Sequence, residues 1–218
     1  MIPNRPFRQP AQTARDKLLE AGLMLVRQQG FSATSLDQLC QAAGVTKGGF
    51  FHHFASKESL GVALADYWSS STGGFFAEAP YHHHATATDR VLGYIDLRMA
   101  LITGPAQSFS CVAGTMLQES YHTSAAIRAA CEDSIMGNAR ALEPDLAAAI
   151  AEAGLSGVTA ASLSRHIQSV IQGAFIIAKS QPSNGAAAEL ARETIGHLRR
   201  YLELLFIPAA KESQPCPQ

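Results

Sequence analysis

The chain has 218 residues, of which 47% are apolar and 16% charged, with a formal net charge of −1. That length holds one or two domains with a sizeable core, and no run of about 18 apolar residues is present to span a membrane. Charge is uneven: residues 1–60 carry seven Lys and Arg against four acids, and the remainder ten against fourteen, so an anionic partner fits the N-terminal end alone.

The first ten residues, MIPNRPFRQP, lack the apolar stretch of a secretory signal. Four cysteines (Cys40, Cys111, Cys131, Cys216) show no C-x-x-C spacing, which predicts reduced thiols in a cytoplasmic protein. The hydrophobic pattern is helical nearly throughout, with no convincing strand. Thr13 and Asp16 fit a capping box, and Ala14, Leu18, Gly22 and Leu25 follow at helical spacing up to a stop at Gly30. Thr34 and Asp37 fit a second box, ahead of Leu36, Leu39, Cys40 and Ala43, with Gly44 ending that short helix.

The next stretch, GVTKGGFFHHF (residues 44–54), predicts a short helix over 46–53 capped by Thr46. At about 100° per residue Phe50 and Phe54 share a face, to be buried by Leu60 and Val45, while Gly48 and His52 point the opposite way. Each glycine costs about 1 kcal/mol against alanine inside a helix. Their place on the outward face predicts that the backbone there approaches a large partner closely. His52 and His53 diverge by about 100°, with no acid or thiol one turn away, so they do not form a metal pair. The two short helices and the turn at Gly44 make a helix-turn-helix unit.

Residues 30–60, GFSATSLDQLCQAAGVTKGGFFHHFASKESL, resemble the DNA-binding domain of TetR-family transcriptional regulators. The shared features are the glycine-aromatic start, the Thr-Ser helix start, AAGVTKG, an aromatic-rich recognition helix and F-A-S-K-E-S-L. The resemblance implies an all-α protein: a three-helix helix-turn-helix domain with an N-terminal arm over 1–60, a helical effector-binding and dimerisation domain over 61–207, and a flexible tail over 208–218. It implies double-stranded, near-palindromic operator DNA, a small-molecule effector and a second copy of the chain as partners, with no cofactor. Carried over position by position, Thr34 and Ser35 contact phosphates, and Thr46, Lys47, Gly48 and Gly49 meet base edges or flanking phosphates. Phe51 stands where many relatives have tyrosine and offers a ring to a thymine methyl. His52 and His53 contact bases and backbone, and Lys57 a phosphate. Arg5 and Arg8 add arm contacts. Each has a plainer alternative: Thr34 as a cap, Lys57 as a solvated charge, Phe51 as partly core.

Beyond residue 60, a helix is predicted from near Ser56 towards Phe76, then a loop, EAPYHHHATAT, whose His82-His83-His84 run lacks zinc-site spacing. Helices are expected at 89–102, roughly 110–121 and 124–141, with a break at Glu143-Pro144, a short helix over 145–153, and two long ones at about 159–180 and 186–206. Leu163, Ile167, Val170, Ile171, Ala174 and Ile177, with Ile195, Leu198, Leu202 and Leu205, give the last two apolar faces. Such a pair packs against a symmetry mate as a four-helix bundle, or fills a monomeric core. Phe75, Met99, Phe109, Cys111, Met116, Tyr121 and Phe175 are the expected pocket lining. Cys111, near a helix start, is a candidate electrophile or oxidant sensor, against the plainer role of a packed thiol. No nucleophile–base–acid set stands at recognisable spacing, so no catalytic residues are assigned.

Overall fold

A computed structural model describes residues 13–207; the arm with Arg5 and Arg8, Cys216 and the tail from 208 lie outside the described residues. Those residues form ten α-helices and one 3-10 turn. Helix α1 (Ala14–Gln29) starts on the expected box, with Asp16 N–H donating to Thr13 Oγ1 and Thr13 N–H to Asp16 Oδ2. It ends at Gly30, whose φ of 91° is open to glycine.

Helix α2 (Leu36–Ala43) is capped one residue later than the sequence predicts. Ser35 and Gln38 form its capping box. Thr34 is instead buried, and its hydroxyl donates to Gly30 O at 2.6 Å, closing the α1–α2 corner. An oxygen committed inside the corner is not free to cap. Gly44 then takes the left-handed conformation, φ 63° and ψ 34°, and satisfies the last carbonyls of α2. Thr46 caps α3 (Lys47–His53) by accepting from Gly49 N–H, and Phe50 and Phe54 turn inward, 0% and 4% exposed.

Helix α4 (Lys57–Ala77), boxed by Ser56 and Ser59, joins two cores. Leu60, Leu64 and Trp68 pack with Leu18, Leu39, Phe50 and Phe54, while Phe76 belongs to the core of the body. The head core does not stop at residue 60. Val112, Met116, Ile127 and Cys131 enter it from two later helices, α7 (Val112–Ser120) and α8 (Ala125–Glu152). The segment read as a loop contains a 3-10 turn, Pro80–His83, anchored by buried Tyr81, whose hydroxyl donates to Phe76 O. His82, His83 and His84 remain exposed, and among the described residues no three His, Cys, Asp or Glu side chains converge on one point.

The body consists of α5 (Ala87–Ala100), the single turn α6 (Ala106–Phe109), α8, α9 (Ala160–Ala178) and α10 (Asn184–Phe206). The predicted break at Glu143-Pro144 is absent: α8 runs through it for 28 residues. Pro144 faces solvent, while Leu142, Leu146 and Ala149 stay buried on either side of it. That burial outweighs the proline's cost of about 3 kcal/mol. Among the described residues no helix is long and apolar enough to cross a membrane.

Candidate nucleic-acid interface and effector pocket

Every residue expected to open the recognition helix lies on one outer surface of the head. Thr46, Lys47 and Gly48 are exposed, Gly49 half-buried, and Phe51 and His52 exposed at the far end, with His53 at the edge. Phe51 is 54% exposed and touches the buried Phe50 only by its edge, centroids 5.3 Å apart. Phe50 is therefore the anchor and Phe51 a surface ring.

The two glycines differ. A Cβ at Gly48 would meet only Thr46 Oγ1, at 3.9 Å, whereas at Gly49 it would stand 2.8 Å from Val45 Cγ1. Packing inside the head explains Gly49. Nothing inside the head requires Gly48, which leaves its helical cost without a folding benefit.

Lys47 Nζ lies 2.7 Å from Asp37 Oδ1, and this bonded carboxylate holds the ammonium above its ordinary pKa. Asp37, which the sequence suggests as half of the α2 capping box, leaves that role to Ser35 and Gln38 and pairs with Lys47 instead. Lys57 is not a free solvated charge either. Its Nζ donates to Ser32 O at 3.3 Å and sits 4.6 Å over the Phe31 ring, and partial burial lowers its pKa. Thr34, 1% exposed with both hydroxyl and amide bonded within the corner, is placed inside rather than at the surface. Ser35 remains at the exposed start of α2.

Of the expected pocket lining, Phe75, Met99, Phe109, Cys111 and Phe175 lie in or against the body core, while Met116 and Tyr121 do not. Tyr121 is 60% exposed, at the end of α7, because its residue lies past the last helical turn that faces the core. Met116 is fully buried, but in the head core among Leu and Phe side chains. Phe109 and Phe175 pack ring to ring at 5.7 Å in the body core, which Phe75 and Met99 flank.

Cys111 and Phe175 do share a small cavity of about 10 Å³, with Ser110, Gln118, Gln172 and Lys179 in its wall. Cys111 caps α7: its Sγ accepts from Gly114 N–H at 3.3 Å. Lys179 reaches in from α9 and donates to Thr115 Oγ1 at 2.7 Å, its pKa lowered by burial and raised in turn by Cys111 and Glu119. Arg27, stacked 5.5 Å over Trp68, is also lowered by burial and lies within electrostatic reach of Cys111. Ser110 Oγ is buried and has no hydrogen-bond partner. Sequence reading missed Ser110 and Lys179, since Lys179 is 64 residues from the threonine it holds and no local pattern announces it.

On α9 and α10 most of the predicted apolar face, including Leu163, Ile167, Ile171, Ile195, Leu198 and Leu202, is consumed by the chain's own core. Ile176, Ile177, Tyr201, Leu204 and Ile207 remain exposed, between 44% and 58%.

Comparison with known proteins agrees with this geometry. The sequence model for bacterial regulatory proteins of the tetR family matches residues 18–64, and that for the LmrA/YxaF-like transcriptional regulator C-terminal domain matches 89–193. The HTH-type transcriptional regulator AcrR of Shigella flexneri is 40% identical over 67 residues, covering 31% of this chain and 30% of that protein. The HTH-type transcriptional repressor NemR of Escherichia coli is 35% identical over 80 residues, 37% of this chain and 40% of its own length. The chain thus matches less than half the length of these curated relatives. Among solved structures, reduced E. coli NemR superposes with a TM-score of 0.71 at 24% identity, covering 86% of this chain and 96% of that one. A regulatory protein TetR from Rhodobacter sphaeroides gives 0.72 at 22%, covering 90% and 100%. These likenesses establish the shared fold. With a helix-turn-helix head and a helical body each matching its own part of the family, the chain belongs to the TetR family of bacterial transcriptional regulators.

Proposed function

We propose that this regulator is a homodimeric repressor that binds a near-palindromic DNA duplex through α3 and is released when a small molecule occupies its helical body. The observation that carries the reading is Gly48. It is a first-turn helix glycine on an exposed face, with only Thr46 Oγ1 near where a Cβ would stand, next to a surface row of Thr46, Lys47, Phe51 and His52. A bare backbone there admits the helix into a major groove, and the flanking side chains supply base-edge and phosphate contacts. Ser35, His53 and Lys57 border the same surface. Two such heads fit half-sites about one helical turn (~34–36 Å) or more apart. The exposed Ile176, Ile177, Tyr201, Leu204 and Ile207 offer a partner copy an apolar strip across α9 and α10.

A gel shift with duplexes selected from a random pool tests this. Lys47→Ala and His52→Ala, folded by circular dichroism, should lose most binding. Absence of any selected duplex at low salt would refute the DNA-binding role.

One observation favours a second, narrower reading, in which the released state is triggered at Cys111. Its Sγ caps the start of α7, accepting from Gly114 N–H at 3.3 Å, and lines a small cavity with Lys179 and the unpartnered Ser110 Oγ, where a thiol reagent would displace that cap. Modification-induced release in the wild type but not in Cys111→Ser supports it; equal release in both removes Cys111 as the sensor.

A further inference from the structure

Helix α7 reaches the α1–α2 corner with a charged side chain. Glu119, in the last turn of α7, accepts a hydrogen bond from Ser32 N–H at 2.7 Å, across 87 residues of sequence. Its second carboxylate oxygen occupies the space a side chain at position 30 would need, since a Cβ on Gly30 would fall 2.1 Å from Glu119 Oε1. Gly30 is thus glycine for two reasons, its φ of 91° and the carboxylate beside it. Lys57 closes the corner from α4 by donating to Ser32 O. A parallel grip lies a few residues on, where the Ser124 hydroxyl that caps α8 is bonded to Glu58 of α4.

The other end of α7 is the Cys111 cavity. Cys111, Thr115 and Glu119 recur every four residues, so they run along one face of a nine-residue helix. Its intervening residues Val112 to Met116 are buried, which makes the helix a rod held in a close-packed sleeve. Lys179 is bonded to the middle of that row, donating to Thr115 Oγ1 at 2.7 Å, and shares the cavity wall with Cys111. The corner that Glu119 holds leads straight into Ser35 and α2, and through Gly44 to α3.

We infer that α7 is the coupling element of this regulator and that Glu119 is its positioning residue: displacement of α7 at the Cys111 cavity loosens the Glu119–Ser32 contact and frees the helix-turn-helix to reorient. This rests on the Cys111 reading above and deepens it by naming the route from cavity to head. With only about 10 Å³ free beside Cys111, a group added at Sγ competes with Gly114 N–H, which Sγ now caps, and with the Lys179–Thr115 contact next to it, and so disturbs the α7 N-terminus. The latch at the far end is at the surface of the seam, so water can replace its bond when the rod shifts. That makes the contact reversible, as coupling requires.

The test uses full-length protein carrying Cys216→Ser and methyl methanethiosulfonate, which transfers a CH3S group to the thiolate and releases methanesulfinate. Buried Cys40 and Cys131, whose thiols burial pushes up, are spared, and peptide mass confirms the single adduct. Hydrogen exchange is then followed in peptides spanning 30–54, with 160–207 as the control for global unfolding. The adduct should speed exchange in 30–54 several-fold in the parent protein. Glu119→Ala should exchange fast there before modification and change no further, and Glu119→Gln, which keeps an acceptor oxygen, should behave as the parent. Lys179→Ala perturbs the same end of α7 without chemistry and should give the adduct's pattern if Cys111 resists the reagent. Equal acceleration in parent and Glu119→Ala, or none in the parent by either route, overturns the coupling. Faster exchange in 30–54 with unchanged affinity for a selected duplex would leave the coupling standing and overturn Cys111 as the trigger of release.

Discussion

Lys47 Nζ and Asp37 Oδ1 stand 2.7 Å apart, tying the first residue of α3 to the second residue of α2. Both side chains are mostly exposed, so the pair contributes little to folding. Its interest lies in what the ammonium must give up. A lysine that turned to a phosphate would leave an unpaired carboxylate on the surface proposed to face DNA. Lys47→Ala should therefore weaken binding and lower the slope of log affinity against log salt by about 1. Asp37→Asn should do the reverse, tightening binding by freeing the lysine and removing a repelling charge. Fluorescence anisotropy over a salt series separates the two; weaker binding in Asp37→Asn would show that the carboxylate itself makes a required contact.

Gly48 and Gly49 separate folding from recognition within one helix. Alanine at 48 enters open space, so it should stabilise the protein by about 0.5–1 kcal/mol through helix propensity. The same methyl would stand between the α3 backbone and the groove and should lower affinity. Alanine at 49 meets Val45 and should lower the melting temperature. A Gly48→Ala protein that melts higher yet binds as well as the parent would remove the groove-approach argument.

Local chemistry was readable because its partners are neighbours. The Thr13–Asp16 box, the Thr46 cap, the inward turn of Phe50 and Phe54 and the left-handed Gly44 all rest on spacings of four residues or fewer. The same logic failed by one residue at Thr34, where two adjacent hydroxyls compete for the cap and only the fold decides which faces Gly30 O. It failed at Pro144 because buried Leu142, Leu146 and Ala149 overrule a local breaker. The exposed face of α3 was largely legible for that reason, lying on one short helix. In the Cys111 cavity the sequence pointed to Cys111 and Phe175 but not to Lys179, which stands 64 residues from the Thr115 it reaches.

The proline gives a stability prediction of its own. Pro144 sits exposed inside a continuous helix and removes one i to i−4 hydrogen bond. Pro144→Ala should restore that bond without disturbing the core, raising stability by about 1–3 kcal/mol in denaturant titration. A neutral or destabilising result would mean that a local bend set by the proline is needed for Leu142 and Leu146 to pack together.

Cys131 makes stability fall in mild alkali. Its side chain is fully buried in the head core, and burial, reinforced by Cys111 and Asp66, pushes the thiol up to about 12. An unfolded chain releases that proton near pH ~8.5. Between those values the unfolded state binds fewer protons than the folded one, so stability falls as pH rises. The contribution is complete below pH ~8.5 and is lost progressively towards pH 12. Tyr81, which burial also pushes up to about 12, acts in the same direction but only above a phenol's ordinary pKa of ~10. Melting temperatures taken between pH 7.5 and 9.5 therefore leave out the phenol, and comparison with Cys131→Ala separates this thiol from Cys40, which burial raises as well. The parent should lose melting temperature across that window, and Cys131→Ala, though less stable at neutral pH from the lost volume, should lose less. Parallel slopes in the two proteins would show that Cys131 does not set the alkaline limit.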